Sequence, residues 1–224
     1  YVYGSFLQSR MYQAGVSCSD CHEPHSGELR TGPDPNAICA TCHLPQKFSN
    51  TEHHRHAAEL VGCVDCHMTS RDYMVVDGRR DHSFRVPRPE LTLQTGAPNA
   101  CNQCHSDQDT AWAVTAMTDW YGDSDNSHNG FSIQAARVGE PDANAQLLAT
   151  IRDSATPGIA RGTAFAALRA PVTQEVANAI RSGLGNGDPF VRIGALRALS
   201  GLPPEARAEW AGPLLSDSLL AVRI

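Results

Sequence analysis

The sequence predicts a mostly α-helical fold with much irregular coil, in two parts. A turn-rich N-terminal part precedes a C-terminal stack of helix pairs, an α-solenoid. Three observations lead there. All eight cysteines and nine of the ten histidines lie before Gly122. Aromatic residues make up only 6% of 224 residues, thin for a conventional core. The second half repeats an Ala/Leu-rich helical segment at a fixed offset of 31 residues.

Taken in order, residues 1–122 are broken by turn signals such as Gly32-Pro33-Asp34-Pro35-Asn36 and Pro87-Arg88-Pro89. Short helices are expected over Ser5–Gln13 and just ahead of each cysteine pair. A better one is expected from Thr110 to Trp120, with Trp112, Met117 and Trp120 as apolar anchors and Asp107 or Asp109 as its cap. Residues 122–130 are small and polar, the signature of a surface loop, and 123–140 reads as a linker. Beyond it, over 141–224, Arg161-Gly-Thr-Ala-Phe-Ala-Ala-Leu168 aligns with Arg192-Ile-Gly-Ala-Leu-Arg-Ala-Leu199, and Arg223-Ile224 opens a third copy. Pro157 and Pro189 open the first two units, and Asp217 precedes Arg223 as Asp188 precedes Arg192. Repeats of this length resemble short HEAT-like repeats, whose helix pairs bury their faces only against stacked neighbours. The sequence begins at Tyr1 without a leader and stops at Ile224 inside an expected helix, so both ends read as cut from something longer.

Every cysteine falls in one motif: Cys18-Ser-Asp-Cys21-His22, Cys39-Ala-Thr-Cys42-His43, Cys63-Val-Asp-Cys66-His67 and Cys101-Asn-Gln-Cys104-His105. Cys-x-x-Cys-His is the attachment signal of c-type haem. Two thiols on one turn reach the two vinyl groups of a porphyrin, and the next residue offers its imidazole to the iron. Zinc knuckles and redox dithiols also use paired cysteines, but neither requires His directly after the second. Four covalent haem c groups are therefore expected, with porphyrins rather than side chains forming the interior of a tetrahaem domain over 1–122.

Each iron then has one proximal ligand: His22, His43, His67 or His105. An electron carrier fills both axial positions, and five of the six spare histidines lie in the same region. His25 is too close to His22 to bind the same haem from the other side and is expected to serve a neighbouring one. Of His53, His54 and His56, the first and last share one side of a helix and are the preferred ligands, with His54 as substitute. His82 completes the set, and His128, in the polar linker, is expected to be solvated. Met11, Met68, Met74 and Met117 are alternative axial ligands. Arg10, Arg71, Arg79, Arg80 and Arg85 suit either haem propionates or a solvated surface.

The stretch from Tyr3 to Gly122 resembles the cytochrome portion of large multihaem proteins that carry helical repeats after their haems, related to the superfamily of hydroxylamine oxidoreductase and pentahaem nitrite reductase. The matching segments are Gly4–Met11, Ala14–His25, the His53–His56 cluster, Cys63–Met68, Asp81–Pro89 and Pro98–His105. The resemblance implies distal ligation by His25, by His53 or His54, by His56 and by His82. It also implies further haem motifs upstream of Tyr1. Thr69 departs from it, standing where Pro usually follows Cys-His-Met.

The expected function is electron transfer through four closely packed haems, as a periplasmic or extracellular conduit, a filament protomer or a complex subunit. Its partners are redox proteins or further copies of itself, with the repeats suited to docking a protein. The alternative is a catalytic oxidoreductase acting on a small nitrogen or sulfur compound at one open haem. A formal charge of −6 and a pI near 5.9 disfavour nucleic acid as partner. No apolar run is long enough to span a bilayer. Covalent haem attachment happens outside the cytoplasm, which places the protein in the periplasm or at the cell surface.

Overall fold

The computed structural model describes residues 2–124 and 128–224. Helices take up 57% of the chain and most of the remainder is irregular coil. The chain divides into two compact units, residues 2–93 with 97–122, and residues 94–96 with the described part of 123–224. No helix among the described residues is long and apolar enough to cross a membrane.

The first unit is built from short helices: α1 (Val2–Phe6), α2 (Arg10–Gln13), α3 (Cys18–Cys21), α4 (Pro35–Ala40), α5 (Pro45–Phe48), α6 (Thr51–His54), α7 (Cys63–His67), α8 (Glu90–Thr95), α9 (Cys101–Cys104) and α10 (Thr110–Tyr121). The single helix expected over Ser5–Gln13 is two. Ser9, buried to 1% exposure, breaks it because its hydroxyl caps α2, accepting the Tyr12 N–H at 3.0 Å. The helices expected ahead of the cysteine pairs lie on the pairs themselves, and only α4 begins well before its first cysteine. Asp109, not Asp107, caps α10 by accepting the Trp112 N–H at 2.8 Å.

One feature was absent from the expectation. Strands β1 (Ser70–Tyr73) and β2 (Asp77–Arg80) form an antiparallel hairpin. Its tip residues Met74 and Val75 hold positive φ (53° and 75°) without being glycine, so the usual turn signal is missing from the sequence. Buried apolar residues in this unit are few among those described: Phe6, Leu7, Val64, Pro89 and Ala113.

The second unit holds the contiguous apolar core. Its helices are α11 (Asn129–Val138), α12 (Ala143–Arg152), α13 (Gly158–Ala167), α14 (Gln174–Leu184), α15 (Pro189–Ala198), α16 (Pro204–Ala211) and α17 (Leu220–Arg223), with 3₁₀ turns at Leu199–Gly201 and Gly212–Ser216. Leu147, Phe165, Val176, Ile180 and Val191 are each at most 1% exposed, and burying such a side chain stabilises the fold by about 1.5–3 kcal/mol. The expected linker over 123–140 is mostly helix: α11 buries Ala135 and Ala136 in this core, and His128 opens it by accepting the Gly130 N–H at 3.0 Å. Positions 125–127 of the expected loop lie outside the described residues.

Helices α13 and α15 pack closely because glycines face each other. A Cβ on Gly194 would stand 2.3 Å from the Gly162 carbonyl oxygen. Two arginines 31 residues apart make like contacts, whereas Arg161 Nε reaches the Ile151 carbonyl at 2.8 Å. Arg192 Nη1 donates to the Asn186 carbonyl at 2.8 Å, and Arg223 Nη1 donates to the Asp217 carbonyl at 3.0 Å. Asp217 thus stands in the place of Asn186 rather than Asp188, which instead caps α15 through the Phe190 N–H at 2.8 Å.

Candidate haem site

Each Cys-x-x-Cys-His motif is one helical turn. The backbone N–H of the motif histidine donates to the carbonyl of the first cysteine: His22 to Cys18 at 2.8 Å, His43 to Cys39 at 2.9 Å, His105 to Cys101 at 2.9 Å. In the third motif the same turn lies inside α7. Residues three and four apart on such a turn share a face, so both sulfurs and the imidazole are presented together. The turns are fixed locally. Asp20 accepts the Ser17 N–H at 2.7 Å, and Asp65 accepts the Gly62 N–H at 2.9 Å, each closing the first turn from inside the motif. Asp34 caps α4 through the Asn36 N–H at 2.8 Å, and Asn99 accepts the Asn102 N–H at 3.0 Å ahead of the fourth motif.

No two of the eight cysteines are joined in a disulfide. Burial pushes the Cys39 thiol up to about 11, with Cys63 beside it adding to the rise. Burial also raises Cys21, Cys66 and Cys101, Cys66 with help from Cys101 and Cys104 and Cys21 with help from Asp20 and Cys42. Among the described residues no three His, Cys, Asp or Glu side chains converge to hold a metal ion by themselves. Cys39 lies beside Cys63, so the second motif neighbours the third. Cys63 N–H also donates to Asn36 on α4 at 2.9 Å, joining the second and third motifs.

The imidazoles come in pairs. His22 and His82 have ring centroids 6.4 Å apart, His67 and His53 6.1 Å, and His105 and His56 6.1 Å. Each pair joins one motif histidine to one spare histidine. A metal–imidazole bond is about 2 Å and a ring centre lies roughly 1 Å behind its nitrogen, so two imidazoles on opposite sides of one iron stand about 6 Å apart. The residues present therefore fit a haem with two axial histidines.

The far nitrogens agree. His22 Nδ1 lies 2.8 Å from the Gly27 carbonyl, His67 Nδ1 2.8 Å from that of Arg85, and His82 Nδ1 3.0 Å from that of Arg80. His56 Nδ1 likewise meets the His54 carbonyl. An Nδ1–H given to a carbonyl leaves Nε2 bare for a metal and holds the ring in place. Gly27 reaches His22 because it takes φ +74°, which lets the 23–28 turn fold back. Burial, with His67 facing it and His54 adjacent, keeps His53 below its usual pKa, hence neutral as a ligand must be.

The remaining histidines differ. His54 Nδ1 accepts the His56 N–H at 3.3 Å, which puts its proton on Nε2. His128 Nδ1 is similarly engaged by Gly130. His25 is exposed, on a turn whose His25 and Ser26 N–H groups bind Glu23 at 2.9 and 2.8 Å, and the structure does not bring it to a motif imidazole. His43 meets the Phe48 ring edge-on at 5.6 Å. The sequence places His53 and His56 on one helical side, but α6 ends at His54 and Arg55 takes the left-handed conformation (φ 58°). That turn sends His53 to His67 and His56 to His105.

Sequence reasoning missed the aromatic frame around these pairs. Trp112 packs on His105 at 4.8 Å and Trp120 stands edge-on to His56 at 6.4 Å, so one face of α10 spans that pair. Tyr121 donates to the His53 carbonyl, Phe84 backs His82 at 5.9 Å, and Phe48 stands between His43 and His53. Helical spacing of the tryptophans was a usable signal, but the backbone acceptors leave none. Three of the candidate propionate arginines contact protein carboxylates: Arg79 with Asp77, Arg80 with Asp65 at 3.3 Å, Arg85 with Asp81 at 3.1 Å.

The family model for the doubled CXXCH motif matches residues 11–48, which contain the first two motifs. This paired motif supports a c-type multihaem cytochrome. Covalent haem c binding follows from the motif chemistry, and haem bound in this way suggests electron transfer. Searches of curated proteins and of solved structures return no match.

Proposed function

We propose that the chain is a tetrahaem electron conduit, with one haem on each cysteine pair. Three of the four are held between two histidines: His22 and His82, His67 and His53, His105 and His56. The observation that carries this reading is the pairing of three motif histidines with three spare ones at a common spacing of 6.1–6.4 Å. Bound there, each haem supplies a one-electron iron couple. The protein's part is to hold and orient. The cysteines would tether the porphyrin edge, the carbonyls of Gly27, Arg85, Arg80 and His54 fix the rings, and the paired imidazoles would hold the iron. The second and third motifs are joined by the Cys63 N–H on Asn36, and electrons would hop among the haems in the order of the sequence. The small apolar core of the first unit is consistent with porphyrin faces doing the work of side chains.

On this reading residues 141–224 form a HEAT-like α-solenoid that docks a redox partner or a further copy of the chain, since such stacks present extended surfaces. The repeated arginine contacts of Arg192 and Arg223 support it. The protein resides in the periplasm or at the cell surface, where haem is attached, and its relation to the hydroxylamine oxidoreductase and pentahaem nitrite reductase superfamily rests on the motif segments quoted above. The test is the mass and the pyridine haemochrome of the purified protein. Four haems per chain are expected, with low-temperature EPR dominated by low-spin ferric iron. A colourless protein with the mass of the bare polypeptide refutes the proposal.

A further inference from the structure

His43 differs from the other three motif histidines. They each face a second imidazole, whereas His43, among the described residues, has Phe48 as its ring neighbour. The spare imidazoles are otherwise accounted for. His53, His56 and His82 stand opposite His67, His105 and His22. His54 and His128 have Nδ1 engaged by backbone N–H groups, so their Nε2 atoms carry protons. His25 is exposed on its own turn, tied down through Glu23. His43 is itself exposed, beside Leu44, Pro45 and the Phe48 ring, over which Lys47 Nζ stands at 5.3 Å.

We propose that the haem held by Cys39, Cys42 and His43 is the ligand-accepting haem of the chain. In the ferrous state its second axial position takes a small uncharged ligand of the carbon monoxide or nitric oxide class from solvent. A haem with one neutral histidine and an open opposite side is the arrangement of ligand-binding haem proteins, and the three paired sites are closed to such a ligand. Binding is coordination only: the ligand's lone pair goes to iron and no bond is broken. The inference rests on the haem reading above. It adds that the second station of the conduit senses or reacts with a small molecule while the other three carry electrons.

The test is a carbon monoxide titration of the dithionite-reduced holoprotein, after its haem content has been measured, followed in the Soret band. One carbon monoxide per chain is expected, together with one high-spin ferric signal per oxidised chain. The His53→Ala, His56→Ala and His82→Ala variants locate the site, the last two without touching the Phe48 ring that His53 shares with His43. Each is expected to bind two per chain, which leaves the His43 haem as the reactive one in the unaltered protein. A four-haem protein that binds no carbon monoxide overturns this inference and leaves the conduit standing. So does uptake that is abolished as chain concentration rises and returns in His25→Ala, because the position then belongs to a second copy's imidazole. So too does an uptake of one in any of the three variants. Absence of haem defeats the conduit itself, and the two failures are thereby distinguished.

Discussion

Replacing His82 with Ala removes one imidazole and little else. The ring stands 6.4 Å from His22 and is braced by Phe84. The backbone that carries it is anchored without it. Asp81 N–H donates to the Thr69 carbonyl at 3.0 Å, and the Asp81 carboxylate accepts the Ser83 N–H at 2.9 Å, the Ser83 hydroxyl at 2.8 Å and Arg85 Nε at 3.1 Å. Burial pushes the Asp81 carboxyl up, but the Ser83 and Arg85 contacts pull harder and leave it below the usual range, so the clamp is charged at neutral pH. The His67 Nδ1 contact to the Arg85 carbonyl survives as well. The variant should therefore fold and take up its haems, with one of four changed. About a third of the low-spin ferric intensity should become high-spin, and carbon monoxide uptake should rise by one per chain. Added imidazole should reverse both changes by refilling the slot opposite His22. The assay is EPR spin quantitation beside Soret titration. Unchanged spin state in a four-haem His82→Ala protein would show that His82 is not an axial ligand and would refute the pairing argument at its first site.

Further outcomes follow from the same geometry. His54→Ala should leave spin state and haem count unchanged, unlike His53→Ala and His56→Ala, because its Nδ1 already accepts the His56 N–H; absorption spectra of the three variants decide this. Gly194→Ala puts a methyl 2.3 Å from the Gly162 carbonyl oxygen and forces α13 and α15 apart, at an overpacking cost of about 1–3 kcal/mol read from denaturant titration. Phe165→Ala, at a side chain 1% exposed, should cost about 3–5 kcal/mol in the same assay. The Asp217 carboxyl is held below its usual range by the Leu219 N–H and by Arg192, whose Nη2 donates to it at 3.0 Å. A depressed folded pKa gives stability that is whole above the unfolded value near 3.8 and is lost as pH falls through the folded value. Denaturation midpoints should therefore fall on acidification in the unaltered chain and fall less in Asp217→Asn.

The haem attachment points were legible in the sequence for a local reason. Cysteines three apart and the histidine after them meet on a single helical turn, so Cys18, Cys21 and His22 need nothing from the rest of the chain to form their group. The Ala/Leu periodicity after residue 141 was legible in the same way, since a helix writes its buried face at short intervals. The helix α11 was not, because its fully buried positions are the small residues Ser132, Ala135 and Ala136, which write no strong apolar face. The partners of the motif histidines belong to tertiary structure. Whether His54 or His56 turns inward depends on the left-handed Arg55, and His82 reaches His22 only because Asp81 and the Arg85 carbonyl tie that loop to the third motif. A covalent anchor is set by neighbours in the chain, whereas an axial contact is set by where two distant backbones are brought, and no residue type encodes that distance.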